Sequence, residues 1–124
     1  AAAADTPALC MVFDEVDAGV GGAVAEIVGR QLRELGKRAQ VLCVTHLPQV
    51  ASQAHGQFRV VKLSDGKTTR TAVNALTSEE RVEEIARMLG GVSITGTARE
   101  HAREMLTQAD TPAAPRKARG RRAT

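Results

Sequence analysis

Two short apolar runs, residues 8–13 and 41–45, flank a stretch whose apolar side chains recur at spacings of three and four. That order constrains the fold more than anything else in the chain. Each run has the length of a strand, and its unbroken apolarity suits a strand buried on both faces. Between them Val24, Ile27, Val28, Leu32 and Leu35 make one apolar face of a helix, and Gly36 is placed to stop it. Strand, helix, strand in about 38 residues is a βαβ unit, so the two strands are expected to be parallel and the fold class α/β.

The remainder extends this body. Leu47 to Ala54 reads as a short helix, with Pro48 tolerated in its first turn. Residues 57–63 and 68–74 are β-prone, and Ser64-Asp65-Gly66-Lys67 between them suits a hairpin turn. Two helices follow. Thr77 with Glu80 reads as a capping box ahead of Val82, Ile85, Ala86 and Leu89, with Gly90-Gly91 as the stop. Thr97 with Glu100 reads as a second capping box ahead of Ala98, Ala102 and Met105. Residues 1–7 read as a linker or a fragment end, 8–106 as the folded body and 107–124 as a disordered basic tail.

Composition narrows the function. With two Phe and no Trp or Tyr, the core must be aliphatic, and few platforms exist for stacking bases. Cys10 and Cys43 sit in apolar runs and read as small core residues; two thiols make neither a disulfide framework nor a four-ligand zinc site. No apolar run approaches the roughly 20 residues of a membrane span, and the Ala-rich start lacks the features of a signal peptide. A cytoplasmic protein without a membrane partner is expected. The net charge of +3 comes from the tail, where Arg116, Lys117, Arg119, Arg121 and Arg122 oppose the single acid Asp110. Those five cations either contact DNA phosphates or keep the tail solvated.

The first apolar run ends in Asp14 and Glu15, with Asp17 and a glycine-rich turn next. Open α/β sheets bind ligands at the carboxyl ends of their strands. One carboxylate there can hold Mg²⁺ beside a nucleotide's phosphates, directly or through water, and a second can accept a proton from the attacking water. The alternative is a pair of solvated loop acids. The second run ends in Thr45-His46, which a parallel pair brings to the same edge, where His46 could hydrogen-bond a terminal phosphate. His55 and His101 have no such context. Gly66-Lys67-Thr68 matches the end of a phosphate-binding loop, but that pattern needs a glycine where Val61 stands and a helix after it.

These residues resemble a known family. Val12-Phe13-Asp14-Glu15 is similar to the Walker B motif of ABC-type ATPases, and Thr45-His46 to their switch histidine. Asp14-Glu15-Val16-Asp17 resembles the branch shared with SMC proteins. Many such heads end the next loop in Asp where Gly21 stands here. The variant Asp17-Ala18-Gly19-Val20-Gly21-Gly22, with the stretches 45–51 and 80–91, resembles the RecN family of bacterial DNA repair proteins.

The resemblance covers residues 8 to 106 and implies the C-terminal part of a P-loop NTPase head of ABC/SMC type. It implies ATP and Mg²⁺ as cofactors, with Asp14 holding the metal, Glu15 acting as base and His46 sensing the γ-phosphate. Asp17, Gly19, Gly21 and Gly22 would face a second head in a homodimer, and Gly21 removes the contact that the usual Asp makes. Neither a phosphate-binding loop nor a Leu-Ser-Gly-Gly signature lies in these 124 residues, and no coiled-coil heptads do. The N-terminal part of the same head is expected to supply the loop, and the chain alone is expected to turn over ATP negligibly. The implied role is DNA double-strand break repair and recombination, with DNA as a partner and a nucleoid location. The alternatives are the ATPase subunit of an ABC transporter, and an idle dimerisation or DNA-binding module.

Overall fold

The computed structural model describes residues 9–14 and 18–111. β1 (Cys10–Asp14) and β2 (Gln40–Val44) pair in parallel, Cys10 opposite Gln40 and Asp14 opposite Val44. α1 (Gly22–Leu35) joins them, and Gly36 caps it in ordinary right-handed conformation. The expected βαβ unit is therefore present. The expected burial of both strand faces is corrected. Met11, Phe13, Val41 and Cys43 are half-buried, whereas Val12 is 67% and Val44 59% exposed. Successive strand residues point to opposite faces, and no described element covers the second one. Cys10 lies on that open face and is exposed, contrary to its expected place in the core; Cys43 is half-buried.

The apolar stripe of α1 is corrected in the same way. Val24 and Ile27 are exposed, and the packed line is Ala25 and Gly29 instead. The reason is close approach by α2 (Pro48–Ala51), a single turn that lies almost on the backbone of α1. A Cβ placed on Gly29 would stand 2.8 Å from Gln53 Cγ, 3.0 Å from the Gln49 carbonyl oxygen and 3.2 Å from Val50 Cα. Gly29→Ala is thus expected to destabilise the α1–α2 contact by about 1–3 kcal/mol, although alanine is the better helix former. Hydrogen exchange of the α2 amides in the complete protein checks this, and slower exchange in the variant would contradict it.

β3 (Phe58–Ser64) and β4 (Thr69–Ala75) form the expected antiparallel hairpin, Phe58 opposite Ala75 and Ser64 opposite Thr69. Asp65 organises the turn. Its Oδ1 accepts from the N–H groups of Thr68 (2.8 Å) and Lys67 (2.9 Å), which hold its carboxyl below the usual carboxylate range. Gly66 takes the left-handed backbone (φ +87°) that the turn needs. The chain then enters β4 rather than a helix, so Gly66-Lys67-Thr68 is a turn and no phosphate loop.

The main core lies between α3 (Ser78–Met88) and α4 (Gly96–Asp110), where Ile85, Ala86, Val82 and Ala102 pack with Ala51 from α2. Small alanines on the facing sides let the two helices close around Ile85, which is fully buried. The hairpin is tied to α3 by Glu84, whose buried carboxylate pairs with Arg87 on its own helix and Arg59 on β3. Gly90 and Gly91, both at positive φ, end the segment after α3 as expected.

Thr77 caps α3 in full: its hydroxyl accepts from the Glu80 N–H (3.3 Å), and Glu80 Oε1 accepts from the Thr77 N–H (3.0 Å). The backbone N–H of Thr77 holds the Glu80 carboxyl below its ordinary value of 4.5. A depressed carboxylate stabilises the fold above its unfolded pKa, and that contribution is lost as pH falls through the folded value. Thr77→Ala keeps that N–H but loses the side chain, the second cause of the lowering; it is expected to cost about 0.5–2 kcal/mol at neutral pH and slightly less in acid, where Glu80 is protonated in both proteins. Urea unfolding at the two pH values checks it; an equal cost at both would contradict the coupling.

The second capping box is corrected. Thr95, not Thr97, caps α4, its hydroxyl accepting from the Ala98 N–H (3.1 Å), and Thr97 falls within the first turn. The third helical residue from this cap is Ala98, so no carboxylate returns the bond. α4 also runs four residues past the expected boundary at Leu106. Ala109 is buried, and Asp110 pairs with Arg33 of α1 at 2.8 Å. Residues 1–7 and the tail cations Arg116, Lys117, Arg119, Arg121 and Arg122 lie outside the described residues.

Candidate active site

The parallel pairing puts the two strand ends side by side. Asp14 is the last residue of β1 and stands opposite Val44, the last of β2. Thr45 and His46 follow directly. The Thr45 hydroxyl accepts from the Leu47 N–H (3.0 Å), which bends the chain off the strand and into α2. Asp14 and His46 are both exposed at this edge. The Asp14 carboxylate makes no hydrogen bond or ion pair among the described residues, so its oxygens are open to solvent or a ligand. Glu15 and Asp17 lie outside the described residues.

The glycine loop returns to the same edge. Gly19 adopts φ +76°, a conformation that side chains resist, and its surroundings are open. Gly21 is the N-cap of α1, its carbonyl accepting from the Ala25 N–H (2.9 Å), and it supplies no side chain to the cap. Gly22 begins the helix against Gln49, whose Nε2 would lie 3.4 Å from a Cβ there. The helix behind the glycine loop and the turn behind His46 therefore touch through Gly22–Gln49 and through Gly29. Asp14 at the end of β1, His46 just past the end of β2, and Gly21 and Gly22 at the start of α1 lie toward the same end of the βαβ unit.

An exposed carboxylate and an exposed imidazole at one sheet edge fit a nucleotide's metal only in part. No group of three or more His, Cys, Asp or Glu residues among the described residues could hold a metal ion by itself. Mg²⁺, however, keeps several waters and takes its other oxygens from phosphates, so one open carboxylate such as Asp14 suits it. A cleft of about 170 Å³ lies elsewhere, lined by residues that include Glu26, Gln49, Gln53, His101 and Gln108, and the buried Gln53 Oε1 has no hydrogen-bond partner among the described residues.

Sequence reasoning missed Arg33, Arg81 and Gly29, which hold α2 in place. Arg81 looks like one charge among many on α3, and its acceptors are carbonyls 27 and 30 residues away. Gly29 looks like a flaw in a helix. Only a glycine inside an otherwise regular apolar periodicity hinted at a close approach.

No family model matches the chain. Curated proteins do. The chain is 56% identical over 98 residues to the DNA repair protein RecN of Xylella fastidiosa, covering 79% of this chain and 18% of that protein. It is 52% identical over 96 residues to RecN of Haemophilus influenzae, covering 77% and 17%, and 46% identical over 101 residues to RecN of Bacillus subtilis, covering 81% and 17%. It thus spans under a fifth of these relatives' length. A solved structure from work on ATP-driven dimerization and DNA-stimulated activation of SMC ATPases superposes with a TM-score of 0.57. That match has 22% identity and covers 71% of this chain and 52% of the other, so it bears on the fold alone. No helix among the described residues is long and apolar enough to cross a membrane. Such identity to bacterial RecN proteins leads to one assignment: the chain belongs to the RecN family and carries a C-terminal part of it, with an α/β fold similar to that of an SMC ATPase.

Proposed function

We propose that the chain supplies the hydrolytic half of an ATP site in a RecN-type DNA repair ATPase. The observation that carries this reading is the shared edge of β1 and β2, where Asp14 ends one strand and His46 follows the end of the other by two residues. When bound, Mg²⁺ neutralises charge on the phosphates of ATP, and Asp14 is the residue that would hold it. Glu15 accepts a proton from the attacking water, and His46 donates a hydrogen bond to the terminal phosphate. Asp17, Gly19, Gly21 and Gly22 form the surface offered to a second head in a homodimer.

The open face of the parallel pair supports a further part of the reading. Val12, Leu42 and Val44 are exposed there, and Phe58, Val60 and Val73 are exposed on one face of the hairpin. Apolar strand faces of this kind call for a covering layer. The N-terminal part of the same head, with its phosphate-binding loop, is the proposed cover. The complete protein would then act on DNA in the cytoplasm, at the nucleoid, in double-strand break repair and recombination.

Family membership removes the transporter alternative. Hydrolysis decides between an ATPase and an idle module. The complete protein should hydrolyse ATP with Mg²⁺ and stop with EDTA, and Asp14→Asn should raise the Mg²⁺ concentration needed for half-maximal hydrolysis. The pure chain 1–124 should turn over negligibly. Hydrolysis by 1–124 that Glu15→Gln abolishes would overturn the division of the site, and a complete protein without ATPase activity would favour the idle module.

The tail cations are proposed to touch DNA phosphates without sequence preference. Five such contacts would contribute at most about 4.5 to the salt slope of log K. Removing residues 112–124 from the complete protein should lower that slope. An unchanged slope and affinity would leave the tail as a solubilising segment.

A further inference from the structure

Helix α2 is one turn long, so its own hydrogen bonds cannot hold it. The carbonyls of Pro48, Val50 and Ala51 accept from the next N–H groups, and those just beyond them, of Gln53 and Ala54, take partners from elsewhere. Two arginines on different helices provide them. Arg81 of α3 donates from Nη2 to the carbonyls of Ala51 (3.2 Å) and Ala54 (3.1 Å), and from Nε to Gln57 Oε1 (3.2 Å). Arg33, near the end of α1, donates from Nη1 to the Gln53 carbonyl (2.7 Å) and from Nη2 to Asp110 of α4 (2.8 Å). Both arginines are half-buried. Burial pushes the Arg81 guanidinium down from its ordinary value. Residues 51–57 are thus clamped from two sides by planar forks that a lysine cannot reproduce.

What the clamp holds is the segment behind the candidate switch histidine. Leu47 is the N-cap of α2, and His46 is the residue before it. Fixing the far end of a single helical turn fixes the direction in which the chain leaves it at the near end. We propose that Arg81 and Arg33 are positioning residues for His46: their grip on residues 51–57 holds α2, and through α2 aims the imidazole along the edge shared with Asp14. The proposal rests on the reading of His46 as the residue that contacts the terminal phosphate. It also joins two parts of the site, because Arg33 sits on the helix that begins at the glycine loop.

The test is a double-mutant cycle in the complete protein. Arg81→Lys keeps the charge and removes the fork. It should lower kcat for ATP hydrolysis about ten- to a hundredfold, the scale of a misplaced catalytic group, with KM for ATP within about twofold. In a His46→Ala background the same change should lower kcat by less than about twofold, because the group being aimed is gone. Arg33→Lys should behave alike, and it carries the cycle if Arg81→Lys fails to fold by circular dichroism. An equal fold-loss in both backgrounds would mean that the clamp only supports the structure, and would overturn the proposal. So would a normal kcat in both lysine variants when His46→Ala is impaired. A normal kcat in His46→Ala would instead overturn the reading of His46, and the proposal with it.

Discussion

Glu15→Gln in the complete protein is expected to lower steady-state ATP hydrolysis by about 10²–10⁴-fold, the usual value of general-base help. The substitution keeps the size and shape of the side chain and removes its ability to take a proton. Binding of nucleotide should persist, since Asp14 and the phosphate-binding part are untouched. Rate and affinity are therefore expected to separate: kcat falls while KM for ATP changes little. Equilibrium binding of a labelled nucleotide beside a coupled phosphate-release assay measures both. Hydrolysis within about threefold of the unaltered protein would show that Glu15 is not the base. The carboxylate would then be a solvated loop acid, the bland reading of an apolar run that ends in acids.

The largest expected effect on stability is at Ile85. It is fully buried between α3 and α4, among Ala51, Val82, Ala86 and Ala102. Its neighbours are already small, so they offer few atoms that could move in to refill the space. Ile85→Ala should therefore cost about 2–5 kcal/mol, toward the upper part of that range. The loss should be local to the helix pair and to α2, because Ala51 joins the same cluster. Hydrogen exchange in the complete protein should show α3, α4 and α2 amides opening together, with β3 and β4 less affected. A cost below about 1 kcal/mol would mean that this cluster is not the centre of the core. The clamp gives the prediction a consequence for catalysis. A variant that loosens α3 loosens Arg81, so hydrolysis should fall before the fold is lost.

Much of the architecture is legible in short stretches of sequence. The spacing of Val28, Leu32 and Leu35 announces a helix, and the run 41–44 a strand. Thr77 and Glu80 announce a helix start, because a capping box is made between residues three apart. The parallel pairing also follows, since a strand–helix–strand crossover leaves few alternatives. The error at Thr97 has the same local origin. Thr95 and Thr97 both offer a hydroxyl, and the pairing with Glu100 favoured the wrong one. The chain selects Thr95, which leaves Gly96 to begin the helix.

Burial was less legible than element type. Apolar runs such as Val12 to Phe13 imply that something covers them, but not what or from where. Here Val12, Leu42 and Val44 remain open among the described residues. The end of α4 was misjudged because Thr107 to Asp110 looks like the polar, small-residue tail that follows it. Its place in the fold depends on Arg33, 77 residues away, which pairs with Asp110.

By itself the sequence determined the order of elements, the parallel pair and the edge at which Asp14 and His46 emerge. Each of these rests on periodicity, capping or chain connectivity, which act over a few residues or through the handedness of one crossover. Only the tertiary structure decided how α2 is held: on the bare backbone of Gly29 and between the forks of Arg33 and Arg81. Those contacts join residues 20 to 30 positions apart through backbone carbonyls. Every residue carries a carbonyl, so no residue type in the sequence marks which ones an arginine will reach. Their selection is a matter of where three helices meet.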